Sequence, residues 1–186
     1  MNETLKIIES RRSIRQYKPE QIADDEIRQI IDAAINAPSA RNQQKWHFTV
    51  IQDKIIIDKM AEIFRVNAHN SGDKSFSHSL GASAYHVFHN APTVILVSCD
   101  LDAFFIEMDC GIAVQNICLA AESLDIGSCI IGLSRFILMS EEGIQLLKGL
   151  GMPEGYNHMC TVSLGYADGE KPTMPKRNRD VVNFIK

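Results

Sequence analysis

Two groups of cations stand near opposite ends of this chain: Arg11, Arg12 and Arg15 in RRSIRQYKP, and Lys176, Arg177 and Arg179 in KPTMPKRNRD. Guanidinium groups grip phosphate through paired donors and lysine adds a point charge, so such clusters suit a phosphorylated ligand. Ser13 places a hydroxyl among the arginines. Arg11 and Arg15 are four apart, which on a helix would set them on one side. Each cluster alone is equally consistent with a solvated charged face. If the two converge, they make a local phosphate site in a chain of net charge −4. That negative balance, with no aromatics between the arginines, speaks against a nucleic-acid surface.

Two further stretches have the composition of a ligand cradle. In NAPSARNQQKWHF, Pro38 stops a helix and the run Ser39 to Gln44 offers donors and acceptors. It reads either as a helix stop with a turn, or as side chains for the polar edge of a flat heterocycle. In GSCIIG, small residues at Gly127 and Gly132 let backbone approach a ligand. A plain connection into a strand explains that fragment as well. Neither GxGxxG nor GxxxxGK[ST] occurs, so Rossmann and P-loop phosphate sites are not indicated.

Metal chemistry is not indicated either. His86 and His89 are three apart, but no carboxylate or cysteine beside them completes a site, and His69 and His78 lie in a polar stretch. Cys99, Cys110, Cys118, Cys129 and Cys160 form no CxxC pair, and an odd count points to reduced core thiols. With no secretory leader pattern at the N-terminus, a cytoplasmic location is expected.

The elements that must position these residues read as one α+β domain over 1–186, of a size that suits a single core. DDEIRQIIDAAINAP carries Ile27, Ile30, Ile31, Ala34 and Ile35 at helical spacing, with Asp24 as the expected N-cap. WHFTVIQD, PTVILVSC and HMCTVSLGY read as strands, and SEEGIQLLKGLG as a helix capped by Ser140. Ile56, Met60, Ile63 and Phe64 mark a further helix, and NAHNSGDKSFSHS a loop. The segment from Ala103 to Leu124 is apolar on nearly every side, yet Glu107, Asp109, Gln115, Asn116 and Glu122 exclude a membrane span. So small a chain can hardly surround such a helix, which suggests a homodimer. The run Val181 to Ile185 is β-prone and terminal, and such ends often extend onto a partner.

Four stretches taken together resemble the FMN-dependent nitroreductase family: RRSIRQYKP, INAPSARNQQKWHF, DCGIAVQNICLAAESLDIGSCIIG and KPTMPKRNRDVV. They occur in the family's order and span nearly the whole chain. The resemblance implies a mostly antiparallel central sheet flanked by helices, and a dimer built on the long central helix. It implies C-terminal tails, here 171–186, exchanged onto the partner, and FMN in two clefts shared between subunits. Arg11, Arg12 and Ser13 match phosphate and ribityl contacts, and Arg15 matches the cation near flavin N1 and O2. Pro38, Ser39, Ala40 and Asn42 match the segment supplied by the other subunit. Ile130, Ile131 and Gly132 match the stretch whose backbone N–H groups face N5 and O4. Lys176 and Arg177 complete the phosphate site, a role that Arg179 could take in place of Arg177. Asn67, Asn70 and Lys74 are the candidates for one more flavin contact.

The activity so implied is oxidation of NADH or NADPH by flavin N5, followed by reduction of a nitroaromatic, a quinone or a similar small molecule. One exposed flavin face serves both partners, so ping-pong kinetics are expected. No side-chain acid or base is required, and Glu107 and Asp109 read as helix-surface or interface carboxylates. The rival readings are a flavin carrier or sensor without turnover, and a same-fold enzyme with a specialised flavin reaction.

Overall fold

The computed structural model describes residues 1–72 and 85–186. Among the described residues, five helices, α1 (Glu3–Ser10), α2 (Asp24–Ile35), α3 (Lys54–Asn70), α4 (Ile106–Ser123) and α5 (Glu141–Gly149), surround four strands. The strands β1 (Trp46–Ile51), β2 (Thr93–Asp100), β3 (Gly127–Ile131) and β4 (Tyr156–Gly165) form an antiparallel sheet in the order β1-β2-β4-β3. Phe48 lies opposite Val97, Ile95 opposite Val162, and Cys129 opposite Ser163. β2 is buried from Thr93 to Cys99, as its unbroken apolar run requires.

Alternation along the strands divides two cores. Ile95, Val97, Cys99, Cys160, Val162 and Leu164 pack against α2 and α4. Val94, Leu96, Cys129 and Ile131 pack against Met60 and Phe64 of α3 and Leu147 of α5. All five cysteines are free and buried, as core residues.

Within one chain α4 is buried on one side only. Ile106, Cys110, Ala113, Val114, Ile117, Cys118 and Ala121 face the core, while Met108, Gly111 and Gln115 are exposed. Phe104 and Phe105, just before the helix, are each 61% exposed. A four-stranded sheet and the neighbouring α1 and α2 cover only part of its circumference, so an apolar stripe stays open.

Three other readings are corrected. Arg11 to Tyr17 is not helical: α1 ends at Ser10, and the segment runs extended beside β3, with Ser13 bridged to Ser128. α3 continues through Asn70, so the first residues of NAHNSGDKSFSHS are helical, while Lys74 and His78 lie outside the described residues. α2 is capped at Ala23, whose N–H donates to Glu26 at 3.1 Å, and Asp24 is already helical. Ser140 does cap α5, accepting from Gly143 N–H at 3.3 Å. The tail from Lys171 onward is exposed throughout, and Val181 to Ile185 pairs with no strand among the described residues.

Candidate functional site

The arginine segment is held as a short extra strand. Ile14 N–H donates to Ser128 O at 2.9 Å, Lys18 N–H to Tyr166 O at 2.9 Å, and Asp168 N–H to Gln16 O at 3.0 Å. Tyr17 O–H closes the segment on itself through Ile14 O at 2.6 Å. Gly127 makes the close approach possible, since a Cβ there would stand 2.9 Å from Ile14 Cβ. In extended backbone alternate side chains share a side, so Arg11, Ser13 and Arg15 point together. The Cys129 thiol senses all three: burial pushes its pKa up, while Arg15, Arg11 and the Ser13 hydroxyl pull it back. The spacing of four therefore converges its arginines through period two, not through a helix.

Arg12 points elsewhere. Its Nη1 donates to Glu9 O at 2.6 Å and Arg11 O at 2.8 Å, closing the C-terminal turn of α1. Its Nε is buried without a partner. A cavity of about 260 Å³ opens beside Ser13, Arg15, Gln16, Ala167, Asp168 and Gly169. An adjoining cavity of about 490 Å³ adds Tyr17, His89 and Asn90 around Arg15. His89 is pressed toward its neutral form by burial and by Arg15. Spacing alone pairs His89 with His86 as possible ligands, whereas the fold separates their roles. His86 Nδ1 accepts from Phe88 and Asn90 N–H, holding the turn that presents His89 and Asn90. Both presented residues have φ near +55, a left-handed turn, and the HNAP run was its only sequence signal. Among the described residues no metal-binding cluster is present.

At the end of β3, Ile130 is 46% exposed and Ile131 buried. Gly132 is exposed, and a Cβ there would meet nothing within 4 Å. Gly132 opens a 3-10 turn, Gly132–Met139, so its N–H has no carbonyl within the turn to bond. Asn67 anchors that turn from α3, donating to Phe136 O at 2.9 Å, Ile137 O at 3.3 Å and Ser140 Oγ at 3.0 Å. Its buried amide thus supports the turn and leaves no donor for a ligand. Asn70 is exposed at the end of α3.

Pro38, Ser39, Ala40 and Asn42 form a separate group. Ala40 N–H donates to both carboxylate oxygens of Asp109, at 3.1 and 3.0 Å. Ser39 Oγ accepts from Gln44 N–H at 3.0 Å, and Asn42 Oδ1 from Gln44 Nε2 at 3.0 Å. Arg41, Asn42 and Gln44 are all left-handed, a concentration of strain typical of functional turns. Arg41 lies over the Phe104 ring at 5.6 Å. Asp109 is 4% exposed, so it is a buried anchor for this turn, not a helix-surface carboxylate, whereas Glu107 is exposed.

The two groups sit at opposite ends of α4. Ser10, just before Arg11, hydrogen-bonds Glu122, which also pairs with Lys171, while Ala40 is tied to Asp109. Thirteen residues at 1.5 Å each separate those anchors by about 20 Å. One chain therefore does not bring Pro38–Asn42 to Arg11–Arg15. Nor are Lys176, Arg177 and Arg179 brought there: they line a shallow cavity formed by residues 174–180 of the tail itself. No hydrogen bond or ion pair among the described residues joins them to the N-terminal arginines.

A four-stranded antiparallel sheet, helices on both its faces and a cation-bearing extended segment beside β3 define an α+β fold with an open cleft. The chain belongs to the nitroreductase family, whose model matches residues 8–166. It is 39% identical over 177 residues to a putative NADH dehydrogenase/NAD(P)H nitroreductase of Archaeoglobus fulgidus, covering 92% of this chain and 89% of that one. The crystal structure of an FMN-bound nitroreductase from Bacteroides fragilis superposes over the whole of both chains with a TM-score of 0.94 at 30% identity. Another FMN-bound nitroreductase, from Desulfitobacterium hafniense, does so with a TM-score of 0.93 at 33% identity.

Proposed function

We propose that this protein is an FMN-dependent oxidoreductase that takes reducing equivalents from NADH or NADPH and passes them to a small electron acceptor such as a nitroaromatic or a quinone. The observation that carries the reading is the convergence of Arg11, Ser13 and Arg15 on one side of the strand beside β3, next to an open cleft. Those donors suit a phosphorylated cofactor, and the open space over Gly132 suits the edge of a flat ring. FMN, when bound, supplies hydride acceptance and release, chemistry that no side chain here provides.

The chain's own part is binding, orientation and field. Arg11 and Ser13 hold the phosphate and the polar chain attached to it. Arg15 places a fixed positive charge where negative charge collects in the reduced ring, which favours reduction. Gly132 offers its N–H to the ring edge. Reductant and acceptor use the same exposed face in turn, so the kinetics are ping-pong.

The site is completed by a second copy. Pro38–Asn42 is stranded about 20 Å away along α4, but two copies packed antiparallel through α4 bring the Asp109 end of one to the Glu122 end of the other. The open stripe of Phe104, Phe105, Met108, Gly111 and Gln115 supplies the contact surface. Residues 171–186 lie over the partner, bringing Lys176 and Arg177, or Arg179, to the phosphate. No helix of the described residues is long and apolar enough to cross a membrane, and five reduced core thiols suit the cytoplasm.

The visible spectrum of the purified protein, followed by anaerobic addition of NADH and NADPH, tests the reading. A flavin band that bleaches and returns with a nitroaromatic or quinone is expected. Arg15→Ala should bleach more slowly and show a more negative flavin potential. Bound flavin that ignores both nucleotides would mark a carrier, and an apoprotein that takes up no FMN would end the proposal.

A further inference from the structure

Behind Gly132 lies a buried polar chain that the cofactor reading does not use. Ser134 is fully buried in the turn after β3, and its Oγ–H donates to Ile131 O at 2.7 Å. The same Oγ lies 2.8 Å from His158 Nε2, on β4. A serine hydroxyl has one proton, and here the Ile131 carbonyl takes it. His158 must therefore donate through Nε2–H, leaving Nδ1 as the bare nitrogen. Nδ1 indeed has no partner, in a residue only 6% exposed. Burial holds His158 near pKa 4, so the ring stays neutral at working pH. Thr161 Oγ1, at 3.3 Å from the same Nε2, steadies the ring from below.

The direction of this chain gives it meaning. Ile131 C=O and Gly132 N–H belong to one planar peptide unit, so fixing the carbonyl fixes the N–H pointing the opposite way. A hydrogen bond accepted at the carbonyl also polarises the amide, making its N–H a better donor. Local Ser-to-carbonyl bonds three residues back are common in helical turns and need no further support. This one is backed by a histidine from another strand, at the cost of an unpaired buried nitrogen. That cost argues for a task beyond local capping.

We propose that Ser134 and His158 are positioning residues that aim and strengthen the Gly132 N–H toward the bound ring. The inference rests on the FMN reading of the site. It differs from the direct contacts in acting through the backbone, so its effect must be visible in the protein without cofactor.

The test compares wild type with Ser134→Ala, Ser134→Thr and His158→Gln. The readouts are the Gly132 amide resonance of ¹⁵N-labelled apoprotein and FMN affinity by quenching of flavin fluorescence. Ser134→Ala should move the Gly132 amide and raise the FMN Kd about three- to tenfold, the range of one ordinary hydrogen bond. Ser134→Thr and His158→Gln keep a hydroxyl or an N–H donor, and should return both readouts toward wild type. If Ser134→Ala leaves the amide and the Kd unmoved, the inference is overturned while the FMN reading stands. If the amide moves but Kd does not, the chain is a local cap only and the inference fails. A wild-type apoprotein that binds no FMN overturns the cofactor reading, and this one with it.

Discussion

Gly127→Ala is the sharpest test of how the arginine strand is held. A Cβ on Gly127 would stand 2.9, 2.9 and 3.0 Å from Ile14 Cβ, Cγ1 and Cγ2. Carbon pairs prefer about 3.5–4.0 Å, so Ile14 has to retreat by roughly 0.5–1 Å. Ile14 is 5% exposed and its N–H is bonded to Ser128 O, so it cannot swing into solvent. Overpacking of this kind costs about 1–3 kcal/mol. For a chain of 186 residues, each 1 kcal/mol lowers Tm by about 2–4 °C, which gives a fall of roughly 2–12 °C. The strand carries Arg11, Ser13 and Arg15, so FMN affinity should fall with it. Calorimetry and flavin titration measure the two losses. Ile14→Ala removes Cγ1 and Cγ2, so Gly127→Ala should cost less in that background than alone. Strictly additive losses, or a Gly127→Ala protein with wild-type Tm and Kd, would show that the contact does not hold the strand.

Three further outcomes are expected. Asp109→Ala strips the Ala40 N–H of a buried charged acceptor and should cost about 1.5–3 kcal/mol in urea denaturation; a cost near zero would mean the turn is held otherwise. His158 is depressed from 6.5 to about 4 by burial, so between those values the unfolded chain binds a proton the folded chain refuses. Its contribution is intact above pH 6.5 and falls by roughly 3 kcal/mol as the pH drops to about 4. Denaturation midpoints across that window should be flatter for His158→Gln, and parallel curves would contradict the assignment. Truncation before Lys171 removes the pair with Glu122 and the exposed tail, and should weaken both FMN binding and the dimer. Light scattering and flavin titration read the two effects, and a truncated protein that remains a yellow dimer would exclude the tail from the site.

What could be read from the residues alone follows the range of the forces involved. The helix from Asp24 to Ile35 and the strand from Thr93 to Asp100 are written in periodicity, which is local and survives without knowledge of neighbours. The role of Asp109 is not local. Its partner, Ala40 N–H, is 69 positions away, and in an apolar helix a single carboxylate looks like a surface group until a backbone donor is found facing it. Asn67 was obscure for the same reason, since its amide serves carbonyls at Phe136 and Ile137. Ser134 and His158 left no signal at all, being a serine and a histidine of ordinary type 24 positions apart.

The arginines show a subtler failure. A spacing of four sets Arg11 and Arg15 on one side of a helix, but residues 11, 13 and 15 also share a side at period two. Both geometries predict convergence, so the shared side of Arg11 and Arg15 does not depend on which backbone carries them. Only extended geometry also puts Ile14 on the opposite side, against Gly127, where its packing competes with nothing in the cleft. Cleft-facing and packing residues thus alternate along one segment, and under the proposed function the cleft-facing ones bind while Ile14 holds. Changes at Ile14 or Gly127 should then act on the site only by displacing the strand, whereas changes at Arg11 or Arg15 should alter ligand affinity with little effect on stability. Measuring both quantities across those four positions separates the two faces, and a loss of stability at Arg15 as large as that at Ile14 would refute the division.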